Sequence, residues 1–189
     1  YVNQHVQEHI DPFNGSLQIH SVDVFIPGQG GLDLRVLRSY NSNNINPANP
    51  AALETQSHVG IGWNIHFGRV LRLGSNPLCG NNSADGRDDP VLELPDGSRQ
   101  KLYFTGGTPN LLSTRMWRAD CIAAGNQSMR VFSPDGLRYD MTLLATVMAG
   151  APTIRAWYAT RITDSNGTAI SINYTTTETI PRIEYLLSS

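Results

Sequence analysis

The 189-residue chain holds a single lysine, Lys101, only two cysteines, and no apolar run approaching the roughly 18 residues of a helical membrane span. Its 14 basic and 16 acidic residues are scattered, leaving a net charge of −2 with no basic stripe, which argues against a nucleic-acid surface. No G-x-S-x-G, no cysteine–histidine motif and no convincing acid pair is present, so nothing announces nucleophilic catalysis. An opening Met and a signal-peptide pattern are also missing, and Tyr1 reads as a processed or cut end. The closing "IPRIEYLLSS" still alternates like a strand, so the chain is expected to be a piece of something longer.

What is present is a core and a rhythm. Hydrophobic residues make up 40% of the chain and charged residues 16%, which excludes a disordered or collagen-like polymer and suits one sizeable domain or two small ones. The dominant signal is period-two alternation between turn signals, which predicts antiparallel strands. Leu17 and Ile19 share a face with Val22, Val24 and Ile26 only if the strand slips by one residue near His20–Ser21, as a bulge would allow. Leu32, Leu34 and Val36 then share a face. Residues 41 to 57 read as a long polar loop with one helical turn at 51 to 54. In "VGIGWNIHFGRVLRL", Ile65, Phe67, Leu71 and Leu73 share a face that Arg69 interrupts, and residues 74 to 90 form a second loop. Three hairpins follow, turning at Asp96-Gly97, Asp135-Gly136 and Asn166-Gly167, dipeptides that tolerate the positive φ of a tight turn. In the second, Leu137, Tyr139, Met141 and Leu143 face one way. The hairpins form a weak repeat of roughly 30 to 40 residues. "TLLATVMAGAP" fits a strand, a helix or an apolar loop equally well.

Pro27, Gly28, Gly30 and Gly31 lie in "PGQGG". A phosphate loop needs its glycines before a helix, and here a strand follows, so the segment is expected to reverse the chain. "HVQEH" (residues 5 to 9) has the H-x-x-E-H spacing of zinc hydrolases, with His5 and His9 as ligands and Glu8 as base. Asp11-Pro12 stops any helix within two residues of His9 and no third ligand stands out, so the segment reads as a polar lead-in, helical or not. "DGRDD" (residues 85 to 89) lacks the spacing of a calcium loop and reads as a solvated acidic loop. Trp63, Trp117 and Trp157 could line a sugar-binding face, although aromatic residues in β-proteins are more often core. Cys79 and Cys121 are either a disulfide, implying an oxidising compartment, or two inert thiols. No cofactor and no metal is expected.

The order of these pieces resembles the opening of the Rhs/YD-repeat polymorphic toxin family. "DPFNGSLQIHSVDVFIPGQGGLDLRVLRSYNS" is similar to that family's first strand, P-G-x-G-G-L-x-L turn and S-Y-N-S ending. "GIGWNIHFGRVLR" resembles its G-x-G-W box, which also opens the related toxin-complex B and virulence-plasmid B proteins, and the three hairpins resemble those that follow. The likeness runs from Asp11 to Tyr185; Tyr139-Asp140 is followed by Met141-Thr142-Leu143 rather than by x-x-Gly-Arg, so regular YD repeats are expected to be absent or to lie beyond Ser189. The resemblance implies an early wall segment of a hollow β-shell that encloses a C-terminal toxin domain. It carries over no catalytic residue. On that reading Pro27, Gly28, Gly30 and Gly31 form a turn, and Gly60, Gly62 and Trp63 a packed corner.

The expectation is therefore an all-β chain of antiparallel hairpins in a twisted sheet or sandwich, with residues 1–10 as a lead-in and 11–189 as a single β-rich domain. Its expected role is a noncatalytic scaffold of a secreted or cell-surface toxin, partnered by the rest of its shell and an enclosed toxin domain. The alternative is a domain that binds carbohydrate or a cell surface.

Overall fold

A computed structural model describes residues 6–12, 15–45, 57–74, 78–79, 89–122, 128–148, 154–175 and 180–189. The described chain is almost wholly β, and every strand pairing is antiparallel. Among the described residues no helix is long and apolar enough to cross a membrane.

The first sheet has the order β1(Val6–Ile10), β2(Leu17–Ile26), β3(Leu34–Asn41), β4(Trp63–Ile65). Val6–Ile10, read from the sequence as a lead-in, is thus a strand paired residue by residue with β2, Val6 opposite Ser21 and Ile10 opposite Leu17. Extended backbone puts Glu8 and His9 on opposite faces, so the metal-binding face that a helix would create does not form. The bulge in β2 lies between Val22 and Val24, slightly later than the alternation suggested. The "PGQGG" segment joins β2 to β3 through one 3₁₀ turn, Gln29–Gly31. Leu32 enters the main core, and Leu34 and Val36 pack against it, so this sheet covers part of the second one.

The second sheet contains eleven strands: β5(Arg69–Leu73), β6(Val91–Glu93), β7(Arg99–Lys101), β8(Tyr103–Phe104), β9(Leu111–Leu112), β10(Arg118–Cys121), β11(Met129–Phe132), β12(Arg138–Met148), β13(Ile154–Thr163), β14(Ala169–Thr175) and β15(Arg182–Ser188). The ambiguous "TLLATVM" is the continuation of β12. Cross-strand ladders sort the two faces. Ala119, Val131, Tyr139, Ile162 and Ile170 follow one another across β10 to β14 and are all buried. One position along, Asp120, Arg130, Asp140 and Arg161 alternate in charge across β10 to β13, and Arg130 Nε donates to Asp140 Oδ1 at 3.0 Å.

Two inward-facing assignments change. Register shifts around Met141 turn Leu143 away from the main core onto a smaller cluster with Ala156 and Tyr158. In β5 the fully buried apolar residue is Val70; Leu71 joins the smaller cluster and Leu73 is exposed. The segment that seemed one strand bends at His66–Gly68 and passes from one sheet to the other, which reverses the parity.

The three expected hairpins form, and a fourth joins β9 to β10. In each, a residue donates its N–H to a carbonyl four positions on, and the residue three on donates back: Leu94 with Ser98 and Gly97, Ser113 with Trp117 and Met116, Ser133 with Leu137 and Gly136, Asp164 with Thr168 and Gly167. This is a type I turn with a bulge, so only the residue three on has positive φ and Asp96, Asp135 and Asn166 do not. With the fourth hairpin counted, the repeat near the chain's middle is roughly 20 residues, shorter than the spacing of the Asp-Gly pairs suggests.

Cys79 and Cys121 are bonded to each other, with their Cα atoms 6.1 Å apart. Beside them Leu78 is fully buried and its carbonyl accepts from Arg72 Nη1 at 2.8 Å. The helical turn expected at 51 to 54 lies outside the described residues, as do residues 85–88 of the acidic stretch; Asp89 pairs with Lys101 at 3.8 Å.

Candidate functional site: a fork in the second sheet

β13 pairs with β12 along one edge and shares its other edge between two strands. Ile154–Tyr158 pair with β5, and Arg161–Thr163 pair with β14. At the changeover the Ala159 N–H donates to Gly68 O at 3.0 Å, and the Ala159 carbonyl accepts the Tyr174 hydroxyl at 2.9 Å. Two groups from outside the ladder thus satisfy backbone that neither neighbour reaches. Burial pushes the Tyr174 hydroxyl well above its ordinary pKa, so it stays protonated and remains a donor.

A buried charge cluster stands beside the fork. Glu93, at the end of β6, has a side chain 2% exposed. Its Oε1 accepts from Arg69 Nη2 at 2.7 Å, Arg69 Nε at 3.1 Å and His66 Nε2 at 3.1 Å, and its Oε2 accepts from Arg99 Nε at 2.8 Å. Burial alone would raise the Glu93 carboxyl. The Arg69 charge, the His66 hydrogen bond and Arg99 outweigh burial and hold the carboxyl well below the usual range. Burial likewise disfavours the Arg69 cation, and Glu93 and Tyr158 more than restore it. The Gly68 N–H donates to His66 Nδ1 at 3.0 Å, so that nitrogen is unprotonated; the ring is neutral and donates from Nε2 to Glu93. Burial is the main cause of the depressed His66 pKa, with the Glu93 hydrogen bond opposing it.

Arg69 Nη1 reaches onward to the Tyr158 hydroxyl at 3.1 Å. Beyond Tyr158 opens a cavity of about 280 Å³. Its floor is His66, Arg69, Tyr158 and Asn64, and its walls come from Ser57–Val59, Ile65 and the segment Ile180–Ile183 that opens β15. Strands leaving one edge of β13 in two directions must part, and the cavity occupies that parting.

The residues singled out from the sequence lie elsewhere and do not converge. Pro27, Gly28, Gly30 and Gly31 are exposed in the β2–β3 connection, where Gly28 N–H donates to Asp33 Oδ1. Gly30 lies against Asp164 and Asn166 of the β13–β14 turn. Asp96, Gly97, Asp135, Gly136, Asn166 and Gly167 sit in three separate hairpin turns. Gly60 and Gly62 precede Trp63 with positive φ, and Trp63 packs on Tyr40 with ring centroids 5.3 Å apart while Arg38 lies over its ring. The tryptophans do not present one sugar-stacking face, since Trp157 is fully buried and Trp117 packs on Tyr139. His5 lies outside the described residues, and among the described residues no group of His, Cys, Asp and Glu could hold a metal.

Arg69 and Glu93 escaped the sequence reading, although a signal existed. Each is a charged residue set among apolar neighbours in a short strand, a position tolerated only if the charge is paired.

No family model matches the chain, and no curated protein matches it. Among solved structures it is similar to the crystal structure of TcdB2-TccC3, a toxin-complex component, with a TM-score of 0.56 at 13% identity over 98% of this chain. The chain spans 10% of the length of that protein. At this identity the likeness is one of fold, and the architecture is a toxin-complex-like β fold.

Proposed function

We propose that this chain is a noncatalytic wall segment of an Rhs/YD-repeat-type toxin, one stretch of a β-shell that encloses or carries a C-terminal toxin domain. The observation that carries the reading is the fold likeness, which extends over nearly the whole chain yet takes up only 10% of a much larger toxin-complex structure. The hairpin-on-hairpin sheet is the physical reason it suits a wall. Its ladders separate a buried apolar face from a face of alternating charge, as a sheet between two different environments requires. Its partners are the rest of the shell and the enclosed domain. The Cys79–Cys121 bond favours a secreted or cell-surface location, where such bonds persist.

Imaging the full-length gene product by cryo-electron microscopy, with protease protection of its C-terminal domain, tests this. A hollow particle with residues 11–189 in its wall and a protected interior domain is expected. This segment hanging free as an appended module, or a C-terminal domain cleaved as fast as an unenclosed one, would overturn it.

A further inference from the structure

The disulfide joins two parts of the chain that are held very differently. Cys121 ends β10, pairs with Met129 of β11 and donates its N–H to Asn110 Oδ1 at 3.0 Å. Cys79 lies with Leu78 in a turn, outside the strand ladders. In the sheet, β13, β12 and β11 stand between β10 and β5, the strand that precedes that turn in the chain. The bond therefore draws Leu78–Cys79 across the inner side of the sheet, where Leu78 is fully buried in the main core. Arg72 Nη1 adds one tie, donating to Leu78 O at 2.8 Å. Both cysteines are half-buried and Ile122, next to Cys121, is exposed, so the bond runs along the margin of the core. An element outside the ladders opens at lower free energy than the strands do, and a cross-link at that element limits how far it opens.

We propose that the Cys79–Cys121 bond is a redox-sensitive latch, which a small thiol of the glutathione class opens in the folded protein, freeing Leu78–Cys79 while the sheet stays formed. The thiolate of the reductant attacks one sulfur of the bond and forms a mixed disulfide. A second thiolate attacks that, and two cysteine thiols and one disulfide of the reductant result. Two electrons pass from the reductant to the protein, and the two thiol protons end on the cysteines. Cys121 stays on β10, so Cys79 is the sulfur that moves. The latch is closed in an oxidising compartment and opens in a reducing one. The inference concerns this chain's own bond and does not rest on the wall reading; a bond that resists thiols would leave the fold likeness untouched.

The test treats the folded, oxidised protein with reduced glutathione at roughly millimolar concentration and without denaturant, followed by thiol alkylation with mass spectrometry and by NMR of the leucine methyl groups. Both cysteines are expected to become open to alkylation, Cys79 about tenfold faster than Cys121, because only Cys79 leaves its place. The Leu78 methyl signals should move toward those of an unstructured leucine, while those of the core residues Leu92 and Leu111 stay where they are. Oxidised glutathione should restore the starting spectrum, and Cys121→Ser should show the opened spectrum with no reductant present. A bond that yields only in denaturant, Leu78 signals unmoved by reduction, or equal alkylation of the two cysteines would each overturn the proposal. So would loss of the sheet on reduction or in Cys121→Ser, which would make the bond a staple of the whole fold.

Discussion

Met116 stands in the β9–β10 hairpin where Gly136 stands in the β11–β12 hairpin. Both have left-handed backbone, with φ of 63° and 93°, and each donates its N–H to the serine three residues back. The surroundings match as well, since Ser113, Arg118 and Asp120 correspond to Ser133, Arg138 and Asp140. Ser113 Oγ accepts from Trp117 N–H as Ser133 Oγ accepts from Leu137 N–H. The turn is thus dictated by the strands and the serine, and methionine bears the left-handed geometry at a cost. Met116→Gly should raise stability by about 0.5–1 kcal/mol, and Gly136→Ala should lower it by about 1–2 kcal/mol, as read from urea midpoints. A Met116→Gly variant less stable than the parent would mean that the exposed methionine contributes packing that outweighs its strain.

The Glu93 hub should be the most sensitive charged position. Glu93→Gln preserves shape and leaves Arg69 buried without its counter-charge, so a loss of about 3–5 kcal/mol is expected in chemical unfolding. A change under about 1 kcal/mol would show that water reaches Arg69.

Acid should destabilise the protein in two steps. His66 is neutral when folded at pH values where the unfolded imidazole, with its pKa near 6.5, already binds a proton. Its contribution is therefore complete above pH 6.5 and is lost as the pH falls below that value. Glu93 follows below its ordinary value of 4.5, again because the unfolded state takes up the proton first. Unfolding midpoints measured across this range should fall with falling pH, and His66→Asn should flatten the upper step. An upper step of the same slope in that variant would assign it to another group.

The fork depends on one hydroxyl. Tyr174→Phe keeps the ring contact with Tyr158 and leaves the Ala159 carbonyl without the Tyr174 hydroxyl donor, with an expected cost of about 1–3 kcal/mol. Hydrogen exchange at Ala159 should accelerate with it. Unchanged exchange would show that the fork is held by β5 alone.

Gly62 is a steric requirement. A Cβ there would fall 2.7 Å from Tyr40 Cε2 and 3.1 Å from Ile45 Cγ1, on backbone with φ of 77°. Gly62→Ala should therefore displace the Tyr40–Trp63 pair and change the near-ultraviolet dichroism; an unaltered spectrum would show that the corner can open without penalty.

The amino-acid sequence by itself determined the β class, three of the hairpins and the turn that reverses the chain at "PGQGG". These are local properties: alternation sets a strand's faces, and Asp-Gly or Asn-Gly marks where the backbone can fold back. The fourth hairpin carries no such mark, because Met116 adopts a conformation that methionine rarely takes and only its neighbours impose. Arg69 looked like an interruption of an apolar face, because its place is explained only by Glu93, 24 residues away in the chain. The fork, the cavity and the crossing between sheets at His66–Gly68 were decided by tertiary structure, since which strand takes each half of β13's free edge is a choice among distant segments that no local pattern records.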